Sequence, residues 1–278
     1  MAITTWRLIC ITPKNKPKTK KKRWLSPSSI NTYFRCPRKF CLQYIKKLKT
    51  KPNIHLLRGS AVHKTLERFF REGYADSGDY AYYDDTRNAI LSLFNDEWRS
   101  RKDQFLRLDL KEQDLSLFYS DSVKMILNFL HDNIKSNETN GYTPRIEQTI
   151  FSKKWMLMGR IDAIYSARDP PLLIDWKTCK SIDFTDDYKR QMGIYALLYE
   201  DKYSQKPTTA IHYLKFLDGL RKFNISEDFM EDLKNTILEV HHKTISTDEG
   251  DYPCKCGGWC EKNLFQPSQT KAGIEANL

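Results

Sequence analysis

The chain has 278 residues, 46 Lys+Arg against 35 Asp+Glu, and a formal charge of +11. That length can bury a full core without disulfide staples, and hydrophobic and aromatic contents of 40% and 13% exclude wholesale disorder. No apolar run approaches the roughly 20 residues of a membrane helix and no signal-peptide layout opens the chain, so the expectation is a soluble intracellular protein, cytoplasmic or nucleoid-associated, with no membrane partner.

Residues 1–24 read as a tail. Lys14 to Arg23 holds seven basic residues and no acid, which leaves only +4 of the +11 for everything else. Such a run suits a polyanion-binding arm, with nucleic acid the commonest partner; a solvated tail or a targeting segment is the alternative. Ordered structure is expected from Leu25. Ser26-Pro27-Ser28-Ser29 is a helix start, with a capping hydroxyl before a proline at the first helical position. Ile30, Tyr33 and Phe34 follow at helical spacing, Pro37 interrupts, and Phe40 and Tyr44 continue the apolar face. Residues 59–71 read as a helix with Val62, Leu66, Phe69 and Phe70 inward. Helical patterns recur over 86–99 and 111–134, and Asn140-Gly141 is a turn that ends this helical half.

Residues 145–151 and 154–165 then read as strands of a hairpin, 172–177 as a short apolar strand ending in charge, and 187–202 as a helix. A strand over 208–217, a return over 221–225 and a helix over 227–244 close the pattern. The order predicts an α/β fold: a mixed sheet flanked by helices, with an N-terminal helical lobe. The expected organisation is a basic tail (1–24) and one domain (25–278). That domain comprises a helical lobe to about 140, an α/β core over about 141–245 and a Cys-rich segment over 250–265.

Seven cysteines, an odd number, are unlike a secreted disulfide framework. Cys254, Cys256 and Cys260 crowd together as metal ligands do. Cys41 is expected in the core, and Cys10 and Cys179 have no evident partner.

Asp162 and Asp175 fall on adjacent predicted strands that a hairpin can bring side by side. Strand alternation points Asp175 and Lys177 to one face. Two hard oxygen ligands and an ammonium suit magnesium or manganese and a phosphate. A surface Asp–Lys pair is the plain alternative, and D-x-K alone does not decide between them. Gly59-Ser60-Ala61-Val62-His63 with Leu66-Glu67 puts a histidine on the early helix. Gln191 and Tyr195 sit one helical turn apart on one face. Leu25–Ile30, Tyr33 and Cys36-Pro37-Arg38-Lys39-Phe40 open the fold.

In this order these motifs resemble the RecB-like branch of the PD-(D/E)XK nucleases, which includes AddB-like, CRISPR-associated and viral exonucleases. The resemblance runs from Leu25 to Cys260. It implies a restriction-endonuclease-like core in which His63, Asp162, Asp175 and the carbonyl of Trp176 hold the divalent metal. Lys177 is then the catalytic lysine, and Gln191 and Tyr195 position the DNA backbone or the carboxylates. Glu147 lies where some relatives place a further acid. His241 and His242 are expected on a solvated helix face. Some of these relatives carry a 4Fe-4S cluster on a cysteine of the C-P-x-x-F segment, here Cys36, and a C-terminal C-x-x-C-x5-C. Cys254, Cys256 and Cys260 instead read C-x-C-x3-C, the right count at a different spacing. An iron–sulfur cluster, zinc and free thiols therefore all stay open.

The implied activity is metal-dependent DNA hydrolysis, foremost as an exonuclease on single-stranded DNA or free ends in repair, recombination or replication. No G-x-x-x-x-G-K-[ST] is present, so any helicase or recombination partner is a separate chain. A CRISPR adaptation nuclease, an RNA-processing nuclease and a catalytically idle DNA-binding subunit are the alternatives.

Overall fold

The central strand of the sheet is hydrophobic except where it carries charge. In the computed structural model, which describes residues 22–74, 83–108, 110–135, 139 and 141–265, β3 (Leu172–Lys177) is buried at every position through Trp176. It lies in the middle of a five-stranded sheet of order β1-β2-β3-β4-β5. Here β1 is Arg145–Ser152, β2 Leu157–Tyr165, β4 Thr208–Tyr213 and β5 Leu220–Phe223. β1, β2 and β3 form an antiparallel meander, β3 pairs parallel to β4, and β5 returns antiparallel. The parallel pair requires a crossover, supplied by α7 (Asp186–Tyr203).

Helices cover both faces. The lobe consists of α1 (Pro27–Arg35), α2 (Pro37–Phe40), a π-helical turn (Cys41–Ile45), α3 (Ile54–Arg71), α4 (Tyr83–Arg99), α5 (Lys102–Leu106) and α6 (Glu112–Lys135). Helices α3 to α6 build one core against Ile146, Ala163, Tyr165, Ile174 and Trp176. The opposite face packs Ile150, Ile161, Ile164, Leu173 and Ile211 against α1, α7 and α8 (Glu227–Lys243).

Several boundaries differ from the sequence reading, each for a local reason. Helix α3 begins five residues early because the Asn53 side chain accepts the Leu56 N–H at 3.0 Å. β2 begins at Leu157 because the chain turns after Ser152, whose hydroxyl accepts the Trp155 N–H at 3.1 Å. β4 ends at Tyr213, not 217. Buried Asp132 accepts the N–H groups of Asp218 (2.9 Å) and Gly219 (3.0 Å) and pairs with His212 at 2.8 Å, folding the chain back early. A Cβ at Gly219 would lie 2.3 Å from the Tyr213 carbonyl oxygen, so that turn closes only around glycine. The expected Ser26 cap forms, as a reciprocal box with Ser29. The tail through residue 21, Asn140 and Cys10 lie outside the described residues. No described helix is long and apolar enough to cross a membrane.

Candidate active site

At the charged end of β3, alternation turns Asp175 and Lys177 toward α7. The Thr185 hydroxyl caps that helix, which sets Gln191 and Tyr195 one turn apart over the strand. The Lys177 Nζ lies 2.6 Å from Asp175 Oδ2 and donates to Gln191 Oε1 at 2.8 Å. Gln191 Nε2 donates to Asp175 Oδ1 at 2.7 Å and to the Tyr195 hydroxyl at 2.9 Å. The Tyr195 hydroxyl donates to the Arg160 carbonyl at 2.8 Å. Every proton on the amide and phenol has an acceptor, so the network admits one orientation of Gln191. Burial raises the Asp175 carboxyl above its ordinary value, with Lys177 opposing and Asp162 adding. Burial, with Asp175 and Asp162 nearby, lifts the Tyr195 phenol far above its usual value, so it remains a neutral donor.

A second group assembles beside the first. Asp162 Oδ2 accepts the Trp176 N–H at 2.7 Å, and Oδ1 stands 3.4 Å from Nδ1 of His63 on α3. Glu147 on β1 joins them: ligand atoms of His63, Glu147 and Asp162 all lie within 4.8 Å of one another. Glu147 arrives there through an irregularity shared by two strands. Ile146 belongs to the helical-lobe core and Ile150 to the opposite core, although residues four apart on a strand share a face. Likewise Ile161 and Ala163 fall in opposite cores. The phase inverts at Glu147 and Asp162, the pair missing from the β1–β2 ladder, and Glu147 has φ +54°. Left-handed backbone in a non-glycine residue costs free energy and marks places where a side chain is being re-aimed.

The electrostatics of this trio favour a cation. Burial raises Glu147, with Asp162 adding and Arg160, its ion-pair partner, opposing. Burial also raises Asp162, but His63 and the Trp176 N–H outweigh it and hold the carboxyl below its ordinary value. Burial lowers His63, yet the charges of Asp162, Asp175 and Glu147 raise it overall. Glu147 Oε1 is buried without a hydrogen-bond partner. An imidazole, two carboxylates and an orphaned buried oxygen form a hard donor set that fits magnesium or manganese.

His63 and Glu147 of this trio open into a cleft of ≈ 420 Å³ lined also by Ser60, Lys64, Glu67, Arg101, Arg160 and Thr178. Buried Arg58 holds α3 to the end of β3 by donating to the Thr178 carbonyl at 2.8 Å.

Away from the cleft, Cys36 at the α1–α2 junction meets the C-terminal segment. Its sulfur lies 4.0 Å from that of Cys254 and 3.8 Å from that of Cys256, which are 3.5 Å from each other. Cys260 completes a group of four. Cys41 is core, as expected, and Cys179 is half-buried with its thiol directed at the Ser181 carbonyl. His241 departs from expectation. It is buried and bonded to the Trp155 carbonyl at 2.8 Å, while His242 is exposed. Helical periodicity placed the pair on one flank and did not register that the β1–β2 turn covers half of it.

The structure therefore gathers His63, Glu147 and Asp162 in one group and Asp175, Lys177, Gln191 and Tyr195 in the adjoining one, with the Trp176 amide between them. Sequence reasoning passed over Arg160 and Arg58. The Gly159-Arg160-Ile161-Asp162 run was the one signal for the first, and Arg58 had none.

A family model described as the PD-(D/E)XK nuclease superfamily matches residues 24–262. A crystal structure of a "Putative exonuclease" from Eubacterium rectale is similar in fold. Its TM-score is 0.55 and its sequence identity 11%, over 93% of this chain and 92% of that one. No curated protein matches the sequence.

Proposed function

The chain belongs to the PD-(D/E)XK nuclease superfamily, and we propose that it is a divalent-metal-dependent DNA exonuclease of the RecB-like branch, acting on single-stranded DNA or free ends. The observation that carries this reading is the closed Asp175–Lys177–Gln191–Tyr195 network set against the His63–Glu147–Asp162 trio, of which His63 and Glu147 line an open cleft. A structural ion pair needs neither the orphaned oxygen nor the strained backbone of Glu147.

The divalent ion would be held by His63, Glu147 and Asp162, with Asp175 beside them and the Trp176 carbonyl within the family's pattern, and would polarise the scissile phosphate and acidify water. Lys177 orients the attacking water and offsets charge that builds on the phosphate. Gln191 holds the ammonium and the Asp175 carboxylate in fixed relation, so no reorganisation is needed as charge develops. Tyr195 ties this group to β2 through the Arg160 carbonyl. Arg160, Lys64 and Arg101 along the cleft contact flanking phosphates, which bind the strand without reading its sequence. The preference for single strands and ends rests on the RecB-like motif order, as does a role in repair or recombination beside a separate helicase.

End-labelled single- and double-stranded DNA and RNA, incubated with magnesium, manganese or EDTA, test the reading. Stepwise shortening of single-stranded DNA that EDTA abolishes is expected. Cleavage that survives EDTA, or none on any DNA, would overturn it.

A further inference from the structure

Four thiols, Cys36, Cys254, Cys256 and Cys260, converge from two ends of the chain, and all are free. Their separations decide what they can hold. The resolved sulfur pairs stand 3.5, 3.8 and 4.0 Å apart, and all four sulfurs lie within 4.8 Å of one another. This is far beyond the S–S bond of about 2.05 Å that a disulfide needs. A tetrahedral ion with metal–sulfur bonds of about 2.3 Å puts its thiolates about 3.8 Å apart. A four-iron cubane carries each thiolate on its own corner iron and spreads the sulfurs to roughly 6 Å or more. The cage here is too small for the cubane and the right size for one ion.

The backbone is arranged for thiolates. The Lys255 N–H points at Cys36 Sγ (3.4 Å), the Gly258 N–H at Cys254 Sγ (3.3 Å) and the Cys260 N–H at Cys256 Sγ (3.3 Å). These donors offset the excess negative charge of a four-thiolate site. Gly257 and Gly258 have φ +60° and +80°, and a Cβ on either would touch nothing. Glycine is needed there for the left-handed turn that brings Cys260 back toward Cys254. The intervening Trp259 is half exposed, at 55%, so little apolar burial holds this loop closed.

We propose that Cys36, Cys254, Cys256 and Cys260 hold one structural zinc ion as thiolates, and not an iron–sulfur cluster. All four positions are filled by protein sulfur, which leaves no open coordination site and no hydrolytic role. The ion joins the α1–α2 junction to the C-terminal segment, where the Arg38 N–H to Pro253 carbonyl bond (3.3 Å) and the Lys51 N–H to Leu264 carbonyl bond (2.8 Å) already dock the chain.

The test is elemental and acid-labile sulfide analysis of full-length protein, produced with both zinc and iron supplied and purified without oxygen. Colourless protein with about one zinc per chain and no sulfide is expected. Replacing the metal with cobalt(II) should give the strong visible bands of a tetrahedral tetrathiolate, a readout that needs no variant. Cys36→Ser and Cys254→Ser should each lose most of the zinc, and Cys179→Ser should keep it. Iron and sulfide in equal amounts, no metal at all, or zinc retained in both ligand variants would each overturn the proposal. Cobalt spectra of six-coordinate form would do the same.

Discussion

Glu147→Gln should inactivate the enzyme and stabilise the protein at once. The Glu147 side chain is 4% exposed, and burial together with Asp162 raises its carboxyl. A carboxyl whose folded value is raised disfavours folding in its ionised form. Its contribution is best at low pH and is lost as pH rises through the folded value. At neutral pH the ionised group therefore costs stability, and the amide removes that charge at nearly constant volume. The substitution also breaks the pair with Arg160, but Arg160 is 64% exposed, so that pair is worth at most about 1 kcal/mol. Relief of a buried charge facing a second carboxylate is the larger effect. The expected net gain is on the order of 1 kcal/mol, or a Tm rise of about 2–4 °C. An amide is a poor ligand for a hard dication, so cleavage at limiting magnesium should fall by at least about 100-fold. Calorimetry in EDTA and an end-labelled DNA assay at limiting magnesium measure the two quantities. The Tm gap should shrink as pH falls below the raised carboxyl value. A lower Tm with unchanged cleavage would refute the reasoning and make Glu147 the structural partner of Arg160.

Asp175→Ala and Lys177→Ala should each abolish cleavage while DNA affinity, measured by anisotropy, changes little, because in the proposed mechanism both act on the metal and the attacking water and not on the flanking phosphates. Excess manganese should not restore the full rate to Asp175→Ala. Asp132→Ala leaves the buried Gly219 N–H, the Asp218 N–H and buried His212 without their carboxylate partner and should cost about 2–4 kcal/mol in urea unfolding. Burial raises the Asp132 carboxyl, but His212 and the two N–H groups outweigh it and lower it overall. Its contribution is therefore present above the ordinary carboxylate range and lost as pH falls through the lowered value, and Asp132→Asn should flatten that acid limb of the stability curve. Deleting residues 1–21 should weaken DNA binding without abolishing cleavage and make its salt dependence shallower by up to about 0.7 log units per lost contact on single strands. The deletion spares Arg23, which bonds the Thr244 and Ser246 carbonyls at 2.7 and 2.9 Å.

Features carried by short-range periodicity were legible in the sequence. Asp175 and Lys177 share a face because strands repeat every second residue, and Gln191 and Tyr195 share one because helices repeat near every fourth. The Ser26 cap and the break at Pro37 also follow from local chemistry. Tertiary structure decided what depends on contacts between distant segments. Glu147 enters the site only because two paired strands invert their phase together, and no residue pattern on either strand announces that. Asp132 shortens β4 from 80 residues away. His241 is buried by a turn from another part of the chain. The cysteine spacing departs from the family's pattern, yet two left-handed glycines and the helix junction at Cys36 bring the four sulfurs together. Sequence spacing encodes the reach of neighbouring residues, whereas a ligand cage is defined by where separate segments meet.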